Sequence, residues 1–154
     1  MYSILLGLHS GVRWLVLASL IFAIFRAYHG WLSQRTFTWF DHWTRHWTAT
    51  IAHVQLVFGL WLYFISPITA YFLNHFKDAV HQREFRFFGM EHSLMMILGI
   101  IIITIGSASA KRKPTDREKF KTMALWFTAG TLIILSSIPW AFSPFTSRPY
   151  FRPL

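Results

Sequence analysis

The sequence predicts an all-α integral membrane protein, a four-helix up-down-up-down bundle, and three observations carry that expectation. Four apolar stretches of bilayer length recur along the 154 residues. Only 14% of the residues are charged, against roughly 25% in a soluble domain. Basic and aromatic residues gather in the short segments between the apolar stretches, where helix ends meet lipid headgroups. Short connections make helices that follow one another antiparallel. The length suits a single transmembrane domain, residues 1–154. The net charge of +9 is therefore read as a topology signal and a contact with anionic lipid, not as nucleic-acid binding. With no cysteine, disulfides, thiolate metal sites and cysteine-ligated iron–sulfur clusters are excluded.

The first helix is expected over about residues 4–28. The chain starts without the basic region and small-residue cleavage site of a signal peptide, so this helix is expected to be retained. His9 and Arg13 lie one turn apart on one face, and Gly7 and Gly11 beside them would admit a close neighbour. Arg26 and His29 mark the far end. Residues 30–47 read as an interfacial loop carrying Trp31, Phe37, Trp39, Phe40, Trp43 and Trp47. His42 and His46 have the spacing of helical metal ligands, but no carboxylate completes the motif and the interfacial reading is preferred.

The second helix is expected over about residues 48–71, with His53 and Gln55 in its first third and a bend at Ser66-Pro67. Residues 72–87, with His75 and His81, read as a solvated surface of mixed charge with a helical turn near Asp78. The third helix, about 88–110, carries Glu91 and His92 in its first turns and ends at Lys111-Arg112-Lys113. His92, Gly99 and Gly106 repeat every seven residues along one stripe. That stripe either leaves room for a flat cofactor or lets two helices pack closely, and both readings stand at this point. A basic loop, 111–121, leads to a fourth helix over about 123–142. This helix has neither a charged residue nor a histidine, and its Gly130, Ser136, Ser137 and Pro139 suggest packing. The tail, 143–154, has three prolines and two arginines and reads as extended. There is no Walker loop, dinucleotide fingerprint, nucleophile elbow or zincin motif.

Alternating helix direction puts His9, Arg13, Glu91 and His92 at one depth. His53 falls near the opposite side, with His29, His42 and His46 beyond it. Ionisable groups inside a bilayer are costly and usually face the protein interior for a functional reason. A zinc or copper site would need three or four ligands, and this set offers two histidines and one carboxylate. Haem needs one or two axial histidines and a cation for its propionates, which His9, His92 and Arg13 supply. A structural or proton-relay role is the third use, with the histidines bonded to each other or to Glu91 and Arg13 neutralising Glu91.

Haem is the preferred reading, with His9 and His92 as axial ligands of one haem b. Both lie one to two turns inside helices that run parallel, so the imidazoles fall at similar height. Arg13, about 6 Å further along, reaches a propionate or pairs with Glu91. Glu91 lies about 100° around the helix from His92 and so does not face the iron. His53 is expected to point into the bundle, with Val57 and Leu60 continuing its face. A second haem held by His53 with His29 or His46 is the less favoured alternative.

Four motifs carry a family resemblance over nearly the whole chain: His9-Ser-Gly-Val-Arg-Trp14, His53-Val-Gln-Leu-Val-Phe-Gly59 followed by Tyr63-Phe-Ile-Ser-Pro67, Phe88-Gly-Met-Glu-His92, and Ser137-Ile-Pro-Trp140. Together they resemble small bacterial four-helix membrane proteins labelled cytochrome B. The resemblance implies haem-b binding and electron transfer, with His9, His53 and His92 as the matching histidines. More distantly, the layout is similar to haem-bearing anchor subunits of succinate dehydrogenase and to one half of haem A synthase, whose additional motifs are not found here. The expected function is electron passage between a quinone pool and a partner subunit. The rivals are a non-catalytic subunit of a larger membrane complex and a copper or proton transporter using His9, His53 and His92. Association with a partner subunit or with further copies of the chain stays open. One side carries nine basic residues (Arg26, Arg35, Arg45, Lys111, Arg112, Lys113, Arg117, Lys119 and Lys121) and the other five (Lys77, Arg83, Arg86, Arg148 and Arg152). The positive-inside rule then places the nine in the cytoplasm and both termini outside an inner membrane.

Overall fold

The first helix, α1, covers Tyr2–Leu32, and it opens a computed structural model that describes residues 1–140. The expected extended tail, 143–154, and the last two residues of the expected fourth helix lie outside the described residues. α2 covers Trp39–Ile65, α3 Pro67–Asn74, α4 Phe76–Ala79 and α5 Arg83–Arg86. A π-helical turn, Phe87–Glu91, leads directly into α6, His92–Arg112, and α7 covers Asp116–Ser137. No strand occurs among the described residues. Four helical stretches are long and apolar enough to cross a membrane: Tyr2–Leu32, Trp39–Ile65, Arg83–Arg112 and Asp116–Ser137.

The boundaries correct the sequence reading in three places, each for a local chemical reason. The expected 30–47 loop shrinks to residues 33–38, and Trp39 to Trp47 are helical. Thr38 starts α2 through a capping box: its amide and hydroxyl both donate to Asp41 Oδ2, at 2.9 and 2.7 Å. Trp39, Trp43 and Trp47 then stack along one helix face, with ring centroids 5.0 and 5.6 Å apart. A second capping box, Thr115 with Glu118, starts α7 at Asp116, well ahead of the expected 123. The expected second helix stops at Ile65. Ser66 turns extended and Pro67 occupies the first turn of the new helix α3, where a missing N–H costs nothing. Proline therefore breaks this helix where a bend was expected.

α1 packs against α2 and α7, α6 packs against α7 and α2, and the fully buried side chains Leu20, Ile103, Met123 and Phe127 fill the space between. α6 and α7 approach most closely where two glycines face each other. A Cβ on Gly130 would stand 2.9 Å from the Gly99 carbonyl oxygen, and one on Gly99 would stand 3.2 Å from the Gly130 oxygen. A Cβ on Gly106 would overlap Trp126. The Gly99–Gly106 stripe thus serves close helix packing, and it does not line a cofactor slot. Gly11, expected to admit a neighbour, meets nothing within 4 Å. The outward faces are apolar, with Ile21, Phe25, Phe64 and Leu132 all more than 60% exposed, as lipid contact allows.

Two arginines are held inside this frame near the α1–α2 connection. Arg26 of α1 donates from Nε and Nη2 to Asp41 Oδ1, at 2.9 and 2.6 Å, and Asp41 is almost wholly buried. Arg45 is buried too, and its Nη1 donates to the carbonyl and hydroxyl of Ser107 near the end of α6. The packing contrast between glycines is directly measurable. Gly130→Val should lower stability by about 1–3 kcal/mol through overpacking at the α6–α7 contact. Gly11→Ala should be neutral or stabilising by about 0.5–1 kcal/mol, since alanine favours helix and meets only open space. Denaturant unfolding of both variants in mild detergent compares the two.

Candidate functional site

His92 owes its position to two irregularities in the backbone. The π-helical turn Phe87–Glu91 carries an extra residue per turn just before it, and such turns are rare. The turn is packed from outside by Phe72 of α3, which a Cβ on Gly89 would overlap, and the Tyr63 hydroxyl donates to the Gly89 carbonyl at 2.9 Å. The second irregularity is the end of α7. Pro139 disfavours helical backbone at Ile138, so the helix stops at Ser137 and leaves that residue's carbonyl without its intrahelical partner. His92 Nδ1 lies 2.7 Å from this oxygen. A carbonyl can only accept, so the imidazole carries its proton on Nδ1 and its Nε2 holds a lone pair.

His9 reaches the same place from α1. A Cβ on Gly59 would stand 3.2 Å from His9 Cε1 and 3.7 Å from Nδ1, so the absence of a side chain at Gly59 gives the ring its room. Gln55, one turn earlier on α2, donates from Nε2 to the His9 backbone carbonyl at 2.8 Å. His9 Nδ1 and Gln55 Oε1 are buried and have no hydrogen-bond partner. Buried polar atoms of this kind normally have one, so both atoms await a ligand, a water or each other.

These groups line one cavity of about 290 Å³, counting the positions open to the centre of a water-sized sphere. His9 and Arg13 enter from α1, Gln55, Gly59 and Tyr63 from α2, and His92, Ser93 and Met96 from α6. Phe88, Ile134, Ile138 and Pro139 close it. The lining is mainly apolar with a few convergent polar groups, the usual make-up of a small-molecule or cofactor site. Arg13 stacks beside the Trp14 ring, 5.2 Å from its centroid, and brings a positive charge to the wall. No family model, curated protein or solved structure matches the chain. The reading of the site therefore rests on its own atoms.

The structure brings His9, Arg13 and His92 to this cavity and keeps the other ionisable candidates away. Glu91 accepts from Arg86 Nε at 2.7 Å, and both side chains are about one-third exposed, so the Glu91 carboxylate is engaged outside the cavity. His53 corrects an expectation: it is exposed rather than turned inward, and Val57 and Leu60 beside it are exposed as well. Its Nε2 lies 2.9 Å from Thr104 Oγ1, whose own hydroxyl donates to the Ile100 carbonyl at 2.7 Å. The threonine oxygen must then accept, so His53 donates from Nε2. His29 stacks on Phe25 and meets Arg35, His42 meets the Phe37 edge, and His75 stacks on Tyr71. Among the described residues no group of three or more histidines, aspartates or glutamates assembles into a metal site.

Gln55, Gly59, Tyr63 and Ser137 are the site residues that sequence reasoning left without a role. Gln55 and Gly59 are four apart and so share a helix face, which is the signal that could have placed them together. The Tyr63 bond to the π-helical turn makes a prediction of its own. Tyr63→Phe keeps the ring and removes one donor to a backbone carbonyl, so it should cost about 0.5–1.5 kcal/mol. A thermal or denaturant midpoint measured beside the unaltered protein reads that difference.

Proposed function

We propose that this chain is a haem-b membrane protein that passes electrons, between a quinone pool and a partner subunit. The single observation carrying the reading is the tether on His92. Ligating histidines almost always donate their second ring nitrogen to a carbonyl, carboxylate or water, and His92 donates Nδ1–H to the Ser137 carbonyl, with Nε2 left over. His9 lies on the same cavity with its buried Nδ1 unpartnered. Two imidazoles from two helices, an apolar wall and one guanidinium form a donor set that fits a bis-histidine haem, with Arg13 placed to meet a propionate.

When bound, haem supplies one-electron chemistry at a potential tuned by its axial ligands and surroundings. The residues of the chain divide the remaining work. His9 and His92 would hold the iron, the Ser137 carbonyl accepts from the His92 ring, and Leu56, Met96, Ile100 and Ile134 line the apolar wall. The four long apolar helices are read as an up-down-up-down bundle across the cytoplasmic membrane. The excess of lysine and arginine around the α1–α2 and α6–α7 connections puts those turns inside and both termini outside. The likeness of the quoted motifs to small bacterial cytochromes B points the same way. A copper or proton path through His9, His53 and His92 has less support, because His53 sits on an outer face bonded to Thr104 and does not line the cavity.

An absorbance spectrum of the purified protein tests the reading. A Soret band that shifts on reduction, with sharp α and β bands, is expected, at one haem per chain. His9→Ala or His92→Ala should abolish the low-spin form. Ser137→Ala, His75→Ala and His81→Ala should leave it intact, the first because the tethering carbonyl belongs to the backbone. A colourless preparation, or normal reduced spectra in both His9→Ala and His92→Ala, overturns it.

A further inference from the structure

Gln55 is the one cavity residue whose amide orientation is fixed at one end and unused at the other. Its Nε2 donates to the His9 backbone carbonyl at 2.8 Å. A carbonyl only accepts, so the amide cannot be turned round, and Oε1 is an acceptor by necessity. That oxygen is buried without a partner. The ring of the same histidine whose carbonyl Gln55 grips has a buried Nδ1, also without a partner. The Nδ1–Cε1 edge of the ring lies over Gly59, one turn further along the same face of α2. An orphan acceptor and an orphan ring nitrogen thus line one apolar cavity, with the backbone of His9 already joined to the Gln55 side chain.

We infer that Gln55 is a positioning residue that holds His9 in the Nδ1–H tautomer, its Oε1 accepting that proton directly or across one water, so that His9 presents Nε2 to the cavity ligand. Leaving both buried atoms unsatisfied is costly, and a small rotation of the ring or one bridging water removes that cost. The opposite tautomer would leave both His9 Nδ1 and Gln55 Oε1 as buried acceptors with no donor between them. The result matches His92, whose Nδ1–H is held by the Ser137 carbonyl. Both imidazoles then offer Nε2 lone pairs to one space, one fixed by a backbone oxygen and the other by a side-chain amide that substitution can remove. The choice of tautomer stands apart from the haem reading. Its consequence for an iron ligand rests on that reading.

The test uses the full-length protein labelled with 15N-histidine, in detergent at neutral pH and reduced with dithionite, so that any low-spin haem is diamagnetic. Nitrogen NMR reports which ring nitrogen carries the proton, and the His9 signals are assigned by their loss in His9→Ala. A protonated Nδ1 on His9 in the unaltered protein is expected. In haem-free Gln55→Leu that signal should weaken in favour of an Nε2–H form or of exchange between the two, while haem-free Gln55→Glu should retain it. The His92 tautomer should be the same in all three proteins. A proton on Nε2 of His9 in the unaltered chain overturns the inference even if no variant folds, and so does a haem-free Gln55→Leu protein with the tautomer unchanged. In haem-loaded protein a second readout applies. The midpoint potential should rise in Gln55→Leu and fall in Gln55→Glu, because a stronger acceptor on Nδ1–H makes the imidazole a better donor to ferric iron. A colourless protein with the expected tautomer would refute the haem reading and leave the assignment of Gln55 standing.

Discussion

Inside a hydrocarbon slab every polar atom must find its partner within the protein, and that requirement organises this structure more than any single contact. The hydroxyls show it first. Ser19, Thr104 and Ser136 donate to carbonyls three or four residues back in their own helices, at 2.8, 2.7 and 2.7 Å. The charges show it next. Asp41 accepts four bonds, two from Thr38 and two from Arg26, and so can be buried almost completely. Arg45 donates to the carbonyl and hydroxyl of Ser107 on α6, toward the helix end whose dipole favours a cation. Among the buried side-chain atoms left without a hydrogen-bond partner, along with Arg45 Nε and Thr131 Oγ1, His9 Nδ1 and Gln55 Oε1 line the same cavity.

Close helix packing and irregular backbone both border the cavity. α6 and α7 are drawn together at Gly99 and Gly130, where neither backbone carries a side chain to keep them apart. Gly99 lies seven residues from His92, about 10 Å along the helix. The π-helical turn reorients the entry to α6, Pro139 ends α7, and the break at Ser66–Pro67 lets α3 depart from the line of α2. The close packing of one end and the irregular backbone of the other are therefore two parts of one arrangement, and the ligand space lies where regular helix packing stops.

The four membrane-crossing helices were legible in the sequence because length and apolarity alone decide them. Their starts were not, and the reason is compositional. Trp39 to Trp47 is rich in aromatic and charged residues, which suit an interface, yet the chain there is already helical. The capping box at Thr38 and Asp41 was the readable sign, and it was outweighed by composition. His9, Arg13 and His92 fell together in one cavity, as expected for residues that each lie early in their helix. His53 did not follow, since its inward direction was inferred from cost alone. The face of α2 that is buried runs through Arg45, Thr48, Ala49 and Ala52, and His53 lies beside that face, where Thr104 satisfies one nitrogen. Depth can be read from a sequence far more safely than rotation about a helix axis, because one residue of difference turns a side chain by about 100°.

The features that resisted sequence reading are concentrated at the site itself. A π-helical turn has no dependable sequence signature, a glycine facing a histidine looks like any packing glycine, and a tether to a backbone carbonyl leaves no mark in the side chains. Each is also a local departure from regular helix geometry: a wider turn before His92, a missing side chain under His9, a helix end at Ser137. Departures of this kind carry a cost, and sequences that specify one fold confine them to places where something is gained. Here all three serve the placement of two imidazoles. The Gly59 gap admits one ring, the π-helical turn aims the other, and the Pro139 stop supplies the oxygen that fixes it. A chain selected only to span a bilayer would have no use for that coincidence. The convergence of unrelated irregularities on two histidines argues for a ligand between them more strongly than either histidine does alone.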